Sequence, residues 1–304
     1  MSASGEGMTR EMPAVACRTG VDTSYEPFSR EPEYIELNRL FIESLGLRGP
    51  LRLVDLACGT GTLIRLTLDR LGPGASALGV DISRRSLQLA RQDLGLDAGA
   101  GQAPPVILIE ASADRLPVRA GSADAVLIGN AIHCFTDLDR LLREVGRILR
   151  PGGCFAFNSS FYAGTFVPGT ERFYDEWMKE AARYLLKKQE EERREGRGFR
   201  RLRGTVAPAF SRRWLSPDEF ARALEGHGLR VAGTRQRTVM MGRHAFETVG
   251  AYEGLAAVLL SGFPVDLACE ALTRSVAAGL LAVGMEMVPR YWLEMTAMKE
   301  GPAA

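Results

Sequence analysis

Residues 54–62 read VDLACGTGT and residues 79–83 read GVDIS. In the first stretch an acid, Asp55, sits inside an apolar run that gives way to Gly59 and Gly61. In the second, Asp81 closes another apolar run, twenty residues after Gly61. Glycines at the tip of a buried strand let backbone come close to a ligand, and free N–H groups at the start of the next helix add a polar rim. A carboxylate at the tip of the following strand can accept both hydroxyls of a ribose. Together the two stretches describe a nucleoside site. They do not describe a dinucleotide site: that fingerprint needs a third glycine where Ile64 stands. Nor does GKS or GKT follow, so the loop is not a P-loop. A ligand with adenosine but no pyrophosphate fits best.

Such a site needs a strand–turn–helix frame, and the pattern supplies one. Between 51 and 160, apolar runs at 51–56, 77–81, 106–110, 123–129 and 154–158 alternate with amphipathic stretches at 62–71, 83–94 and 138–149. That rhythm predicts βαβ units and a doubly wound, mostly parallel α/β sheet. The uninterrupted AVLIG of 125–129 suits a strand buried on both faces. A helix is predicted over 33–45, closed by Gly49-Pro50. The rhythm breaks over 161–212, where Phe173, Trp177, Ala181 and Tyr184 share one helical face, and the polar run KKQEEERREGRGFRRLRG follows. It resumes at SPDE, a capping box with Ser216 as N-cap and Glu219 at N3. Strands near 229–236 and 291–296 bring the total to seven, with an apolar helical stretch at 246–283 between them. The expected organisation is an N-terminal segment and lid helix at 1–50, then one domain at 51–304 with cap insertions at 161–212 and 242–287.

Bulk composition excludes several classes. The chain has 304 residues, 46% hydrophobic and 25% charged, which is ordinary for a globular protein. Lys and Arg number 38 against 37 Asp and Glu, a formal charge of +1, so no nucleic-acid partner is expected. Five scattered cysteines without a CxxC exclude a zinc framework and argue against a disulfide scaffold. No metal is called for. The opening MSASGEGMTREMPAVACRTG lacks an apolar leader core, and Pro264, Asp266 and Glu270 interrupt the most apolar late stretch. The expectation is therefore a cytoplasmic protein without stable membrane insertion.

The segment 52–160 resembles the class I S-adenosylmethionine-dependent methyltransferases, in particular the ubiquinone/menaquinone group. VDLACGTGT, GVDIS, ASADRLPV, SADAVLIGNAIHCF and LREVGRILRPGGCFAF carry the resemblance, in the family's order and spacing. It implies S-adenosylmethionine as cofactor and S-adenosylhomocysteine as product, on a Rossmann-like sheet with an inserted helical cap. By the resemblance, Asp55, Ala57, Cys58, Gly59 and Gly61 surround the methionine part. Asp81 holds the ribose, Ile82 packs on the adenine, and Ala113 and Asp114 meet the adenine edge. Asn130 lines the methionine end. Tyr25, with Phe28, belongs to an N-terminal segment that closes over the cofactor or else packs on the surface. The chain departs from the family at Ala57, where glycine is usual, which implies a tighter wall.

Methyl transfer from a sulfonium needs alignment above all, which supplies on the order of 7–11 kcal/mol. A base helps only where the nucleophile keeps its proton. His133, three residues past Asn130, is the candidate base; the competing reading is a histidine that shapes the pocket. Phe161, Tyr162, Trp177 and His244 are candidate substrate contacts. His227 suits the C-terminus of a helix. Cys58 and Cys134 have no base partner. Six arginines between 193 and 203 are either an anion-gathering patch or a solvated loop. The apolar 246–283 stretch is core, pocket wall or a homodimer face. The expected function is methylation of a small, partly hydrophobic metabolite, a specialised metabolite or a quinone-like ring. Cyclisation or decarboxylation beside an inert cofactor, or a non-catalytic binding role, stays open.

Overall fold

The computed structural model describes residues 26–97, 105–113, 115–196 and 213–301. Seven strands form one sheet: β1 (Arg52–Leu56), β2 (Ser76–Asp81), β3 (Val106–Glu110), β4 (Ala123–Gly129), β5 (Leu149–Ser159), β6 (Leu229–Gly242) and β7 (Met287–Lys299). Their order is β3-β2-β1-β4-β5-β7-β6. The first five run parallel, while β7 is antiparallel to both β5 and β6. Strand order reverses between β1 and β4, so the carboxyl-end crevice where such sheets bind ligands opens beside the glycine loop. This is the Rossmann-like, mostly parallel sheet that the sequence pattern predicts.

The crossover helices α3 (Thr62–Leu71), α4 (Arg84–Asp93) and α5 (Leu138–Ile148) fall within a residue or two of their expected spans. Ser83 and Asp137 each accept an amide bond that caps the helix that follows. On α7 (Pro217–Glu225) the Ser216–Glu219 capping box is fully formed. At its end His227 Nδ1 lies 2.8 Å from the carbonyl oxygen of Ala223. One boundary differs from expectation. Leu149 already pairs with Ala123, and Arg150 to Gly153 bulge outward before Cys154 pairs with Ala125. The RPGG turn is thus a bulge inside β5, not a connection ahead of it.

Ridge-and-hole packing joins α3 to the sheet. A Cβ on Gly79 of β2 would fall 2.8 Å from Ile64 Cδ1 and 2.7 Å from Leu108 Cδ2. The small residue that lets helix and strand approach is therefore on the strand, which frees the helix to carry Ile64.

A second apolar core lies beyond the sheet. The long helix α6 (Glu171–Arg194) buries Phe173, Trp177, Ala181 and Leu185 against α10 (Val265–Val283), with α8 (Arg243–Gly250) and α9 (Glu253–Leu259) alongside. Gly279 of α10 permits this closeness, since a Cβ there would meet Trp177 Cα at 3.1 Å. Two N-terminal helices, α1 (Glu26–Ser29) and α2 (Pro32–Ser44), feed Phe28, Tyr34 and Leu37 into the same core. The apolar stretch at 246–283 is largely core, with Leu255, Leu260, Leu272 and Leu280 buried. Among the described residues no helix is long and apolar enough to cross a membrane.

Candidate functional site

In the loop after β1 every second residue has left-handed backbone. Ala57, Gly59 and Gly61 have φ of +53°, +53° and +81°. Cys58 N donates to Val80 O at 3.1 Å and Gly61 N to Cys58 O at 2.9 Å, which ties the loop to β2 and to itself. The two glycines serve different ends. A Cβ on Gly59 would meet nothing within 4 Å, whereas one on Gly61 would strike Leu94 Cδ1 at 2.9 Å. Gly59 faces open space for a ligand, and Gly61 lets α3 start close against α4. Ala57 takes a conformation that costs a residue with a Cβ about 1–2 kcal/mol.

Asp81 organises the crevice. Its two carboxylate oxygens accept from Gly59 N at 2.9 Å and from Ser83 N at 2.8 Å. Each oxygen keeps a second lone pair, enough for a pair of ribose hydroxyls. Burial raises its pKa, opposed by the backbone amides it accepts from. Ile82 beside it is 75% exposed. Ala113 is buried just past β3. Asp114 and Tyr25 lie outside the described residues.

Asp55 is 1% exposed, and neither carboxylate oxygen makes a hydrogen bond among the described residues. Burial, with the nearby Asp81 charge, lifts its pKa well above the carboxylate range. A buried carboxyl in this state fits a ligand that brings a cationic or donor group beneath the loop. Cys58 is also buried, and its thiol pKa is pushed well up by burial, so it stays protonated and inert.

At the tip of β4, Asn130 holds φ +48° and is locked by its neighbours. Its N–H donates to Asn158 Oδ1 at 2.8 Å, and its Oδ1 accepts from Ser160 N at 2.8 Å and Ser160 Oγ at 3.1 Å. Asn158 in turn donates to Asn38 Oδ1 at 2.8 Å, and Asn38 to Tyr34 O. This buried amide chain fastens α2 to the strand tips. Thr60 of the glycine loop also donates to Ser29 of α1 at 3.1 Å. The N-terminal helices thus dock on the crevice. Tyr34, Asn38 and Asn158 escaped the sequence reading, because polar residues on a helix face and a strand carry no sign of meeting.

His133 falls in a short 3-10 turn, Ile132–Cys134, with its ring 4.3 Å from that of Phe161. Burial and the Arg290 charge hold its pKa down to about 3. At neutral pH its imidazole is therefore uncharged. Tyr162 packs in a different core from Phe161: it is fully buried against the sheet, its hydroxyl accepting from Gln236 Nε2 at 3.0 Å. Trp177 is held in the cap core by a bond from Nε1 to Leu272 O at 2.8 Å. His244 has a largely exposed side chain, 3.2 Å from Glu31 Oε1, on the rim of an apolar cavity that Phe28, Tyr34 and Met287 also line. The structure therefore brings His133 and Phe161 together and sets Tyr162, Trp177 and His244 apart from them.

Residues 54–157 match the family model described as a methyltransferase domain. The ubiquinone/menaquinone biosynthesis C-methyltransferase UbiE of Hahella chejuensis is 36% identical over 115 residues, which cover 38% of this chain and 45% of that protein. Residues 54–157 thus form a methyltransferase domain, similar in sequence to the S-adenosylmethionine-dependent ubiquinone/menaquinone group. It spans about half the length of the curated relatives it matches. An Aquifex aeolicus SAM-dependent methyltransferase shares the fold at a TM-score of 0.51 and 12% identity, over 92% of this chain and 100% of that one. The [4+2]-cyclase SpnF shares it at 0.51 and 17% identity, over 88% and 80%. The matched methyltransferase segment contains the glycine loop, Asp81, Asn130 and His133; the cap and the β6–β7 pair lie outside it.

Proposed function

We propose that this protein transfers a methyl group from S-adenosylmethionine to a small, partly apolar acceptor seated between His133 and the cap. The observation that carries the reading is Asp55, whose two buried oxygens have no hydrogen bond among the described residues, directly under a glycine loop held open by Asp81. Bound there, S-adenosylmethionine supplies an electrophilic methyl on a sulfonium. The residues of this chain do the positioning. Asp55 and the loop at 57–61 receive the methionine portion, Asp81 the ribose, and Ile82 and Ala113 the adenine; Asp114 and Tyr25 are assigned the adenine amino group and the lid. Asn130 fixes the tip of β4 beside the reacting end.

His133 orients the acceptor as an uncharged hydrogen-bond acceptor or ring wall, since a histidine with a pKa near 3 is a poor proton acceptor at neutral pH. Catalysis then rests on alignment. Isotope-labelled S-adenosylmethionine, offered with a panel of quinols, phenols and aromatic acids, tests the reading by mass spectrometry. A product heavier by one labelled methyl supports it. A converted acceptor without the label favours an inert cofactor, and calorimetry showing no binding of S-adenosylhomocysteine overturns the cofactor site itself.

A further inference from the structure

Arg290 is a charged residue in the otherwise largely apolar strand β7, and it is 8% exposed. No carboxylate lies within 4 Å of it among the described residues. Its Nε donates to Thr165 Oγ1 at 3.1 Å and its Nη2 to Ser160 O at 2.6 Å. Neither acceptor carries charge. The guanidinium carbon sits 5.3 Å from the Phe161 ring centre and 5.5 Å from that of Phe166. Near it stand two further buried polar groups: the Trp214 indole N–H, which has no hydrogen-bond partner among the described residues, and the Tyr174 hydroxyl, which lies against the guanidinium and whose own proton goes to no described acceptor. Trp214 packs 5.6 Å from Phe161, and Tyr174 4.6 Å from Phe166.

This cluster adjoins the proposed methyl-transfer end. Ser160 is shared: its amide donates to Asn130 Oδ1 while its carbonyl accepts from Arg290. Phe161 bridges Arg290 and His133. Burying a guanidinium without a counter-ion is costly, and hydrogen bonds to neutral oxygens recover only part of that. A cation, an indole N–H and a phenol stand beside the rings of Phe161 and Phe166, a combination that complements a single planar anion on an aromatic body. One guanidinium suits the single charge of a carboxylate better than the double charge of a phosphate.

We propose that Arg290, with Trp214 and Tyr174, binds the carboxylate of an aromatic acid, so that the methyl acceptor of this enzyme is an aromatic carboxylic acid. This rests on the methyl-transfer reading above. The carboxylate serves for placement only: another nucleophilic atom of the acceptor, oriented toward His133, bonds the methyl as the methyl–sulfur bond breaks, S-adenosylhomocysteine leaves, and any proton on that atom passes to solvent.

Calorimetry on the full chain saturated with S-adenosylhomocysteine tests it, with 2-naphthoate, 2-naphthamide and 2-naphthyl phosphate as probes. The expected result is that naphthoate binds roughly 10–100-fold tighter than the amide, the range of one charge-assisted contact. Arg290→Gln should erase that preference and Arg290→Lys retain part of it, with S-adenosylhomocysteine affinity unchanged in both. Should the Arg290 variants not fold, Trp214→Phe keeps the ring and removes the N–H, and should weaken naphthoate severalfold but not the amide. Equal binding of acid and amide, no binding of either, a preference for the phosphate, or a preference that survives Arg290→Gln or is untouched by Trp214→Phe overturns the proposal. Failure of S-adenosylhomocysteine to bind would instead strike the methyl-transfer reading, and the probes can be titrated without it.

Discussion

Asp55 on the sheet side and Arg290 on the cap side are both buried ionisable groups without a counter-ion among the described residues, one an acid that burial pushes toward its protonated form and the other a cation. Glu294, three strands from β1 and also buried, is different: Arg237 bonds its Oε1 directly, and Arg235 lies 4.0 Å from its Oε2. The contrast separates two uses of buried charge. The Glu294–Arg237 pair answers the acid with a cation and ties β6 to β7, although Glu294 Oε2 itself has no hydrogen bond among the described residues. Asp55 lies at the foot of the glycine loop and Arg290 beside Ser160 and Phe161, where the proposed cofactor and acceptor bring the missing partners. A fold tolerates a buried ionisable group without a partner only at a cost to stability, whether as an unanswered charge or as a shifted pKa, so each marks where a ligand is expected to dock.

The widest gap between the two uses should come from breaking the Glu294–Arg237 pair. Glu294→Gln leaves Arg237 without its acid and is expected to cost about 3 kcal/mol, the low end for a broken buried pair. Chemical denaturation measures it; a loss under 1 kcal/mol would mean the pair does not tie the strands. Asp55→Asn should do the reverse. It should weaken S-adenosylhomocysteine binding by about 10–100-fold, the worth of a charged hydrogen bond, without unfolding the protein.

The same variant sharpens the comparison through pH. The raised pKa of Asp55 means the native state holds that proton more tightly than the unfolded chain. Stability of the ligand-free protein then falls as pH rises from about 4 toward neutrality. Asp55→Asn should lose that slope, read as the difference between the two melting-temperature profiles from pH 4.5 to 8; parallel profiles would count against a buried, uncompensated acid.

A smaller effect is expected at His133. Its pKa of about 3 in the fold lies below that of the unfolded chain. The unfolded state therefore binds the extra proton, and the His133 contribution to stability is present above about 6.5 and lost as pH falls toward 3. Turnover should show no ionisation near pH 6.5 that disappears in His133→Phe. Smallest of all, Ala57→Gly should gain about 0.5 kcal/mol, the relief of a left-handed Cβ less the extra chain entropy, with cofactor affinity unchanged. A measured loss would show that the methyl group packs usefully against the loop.

The parallel half of the fold was legible because its signals are local. A strand of five or six apolar residues, a glycine with positive φ and a capping serine each act within a few positions, so 51–158 could be read almost element by element. Gly61 shows the limit even there. Its sequence neighbours suggest a ligand, yet its missing Cβ makes room for Leu94, thirty-three residues on. Substrate-side candidates fared less evenly. Tyr162 and Trp177 are aromatic and adjacent to the right segments, but which way an aromatic faces is decided by partners far along the chain, Gln236 and Leu272. Arg290 did leave one trace, a lone positive charge in the apolar stretch MVPRYWLEM, and Glu294 left the same trace with a different meaning.

What the chain alone determined is the crevice: alternating strand and helix, the left-handed loop at 57–61 and the acid at the tip of β2 follow from local sterics and periodicity. What only the tertiary structure decided is which buried charges are paired. That depends on β7 lying between β5 and β6, and on loop 160–166 folding against Arg290. Pairing in space is a property of topology, and no local stretch of residues encodes it.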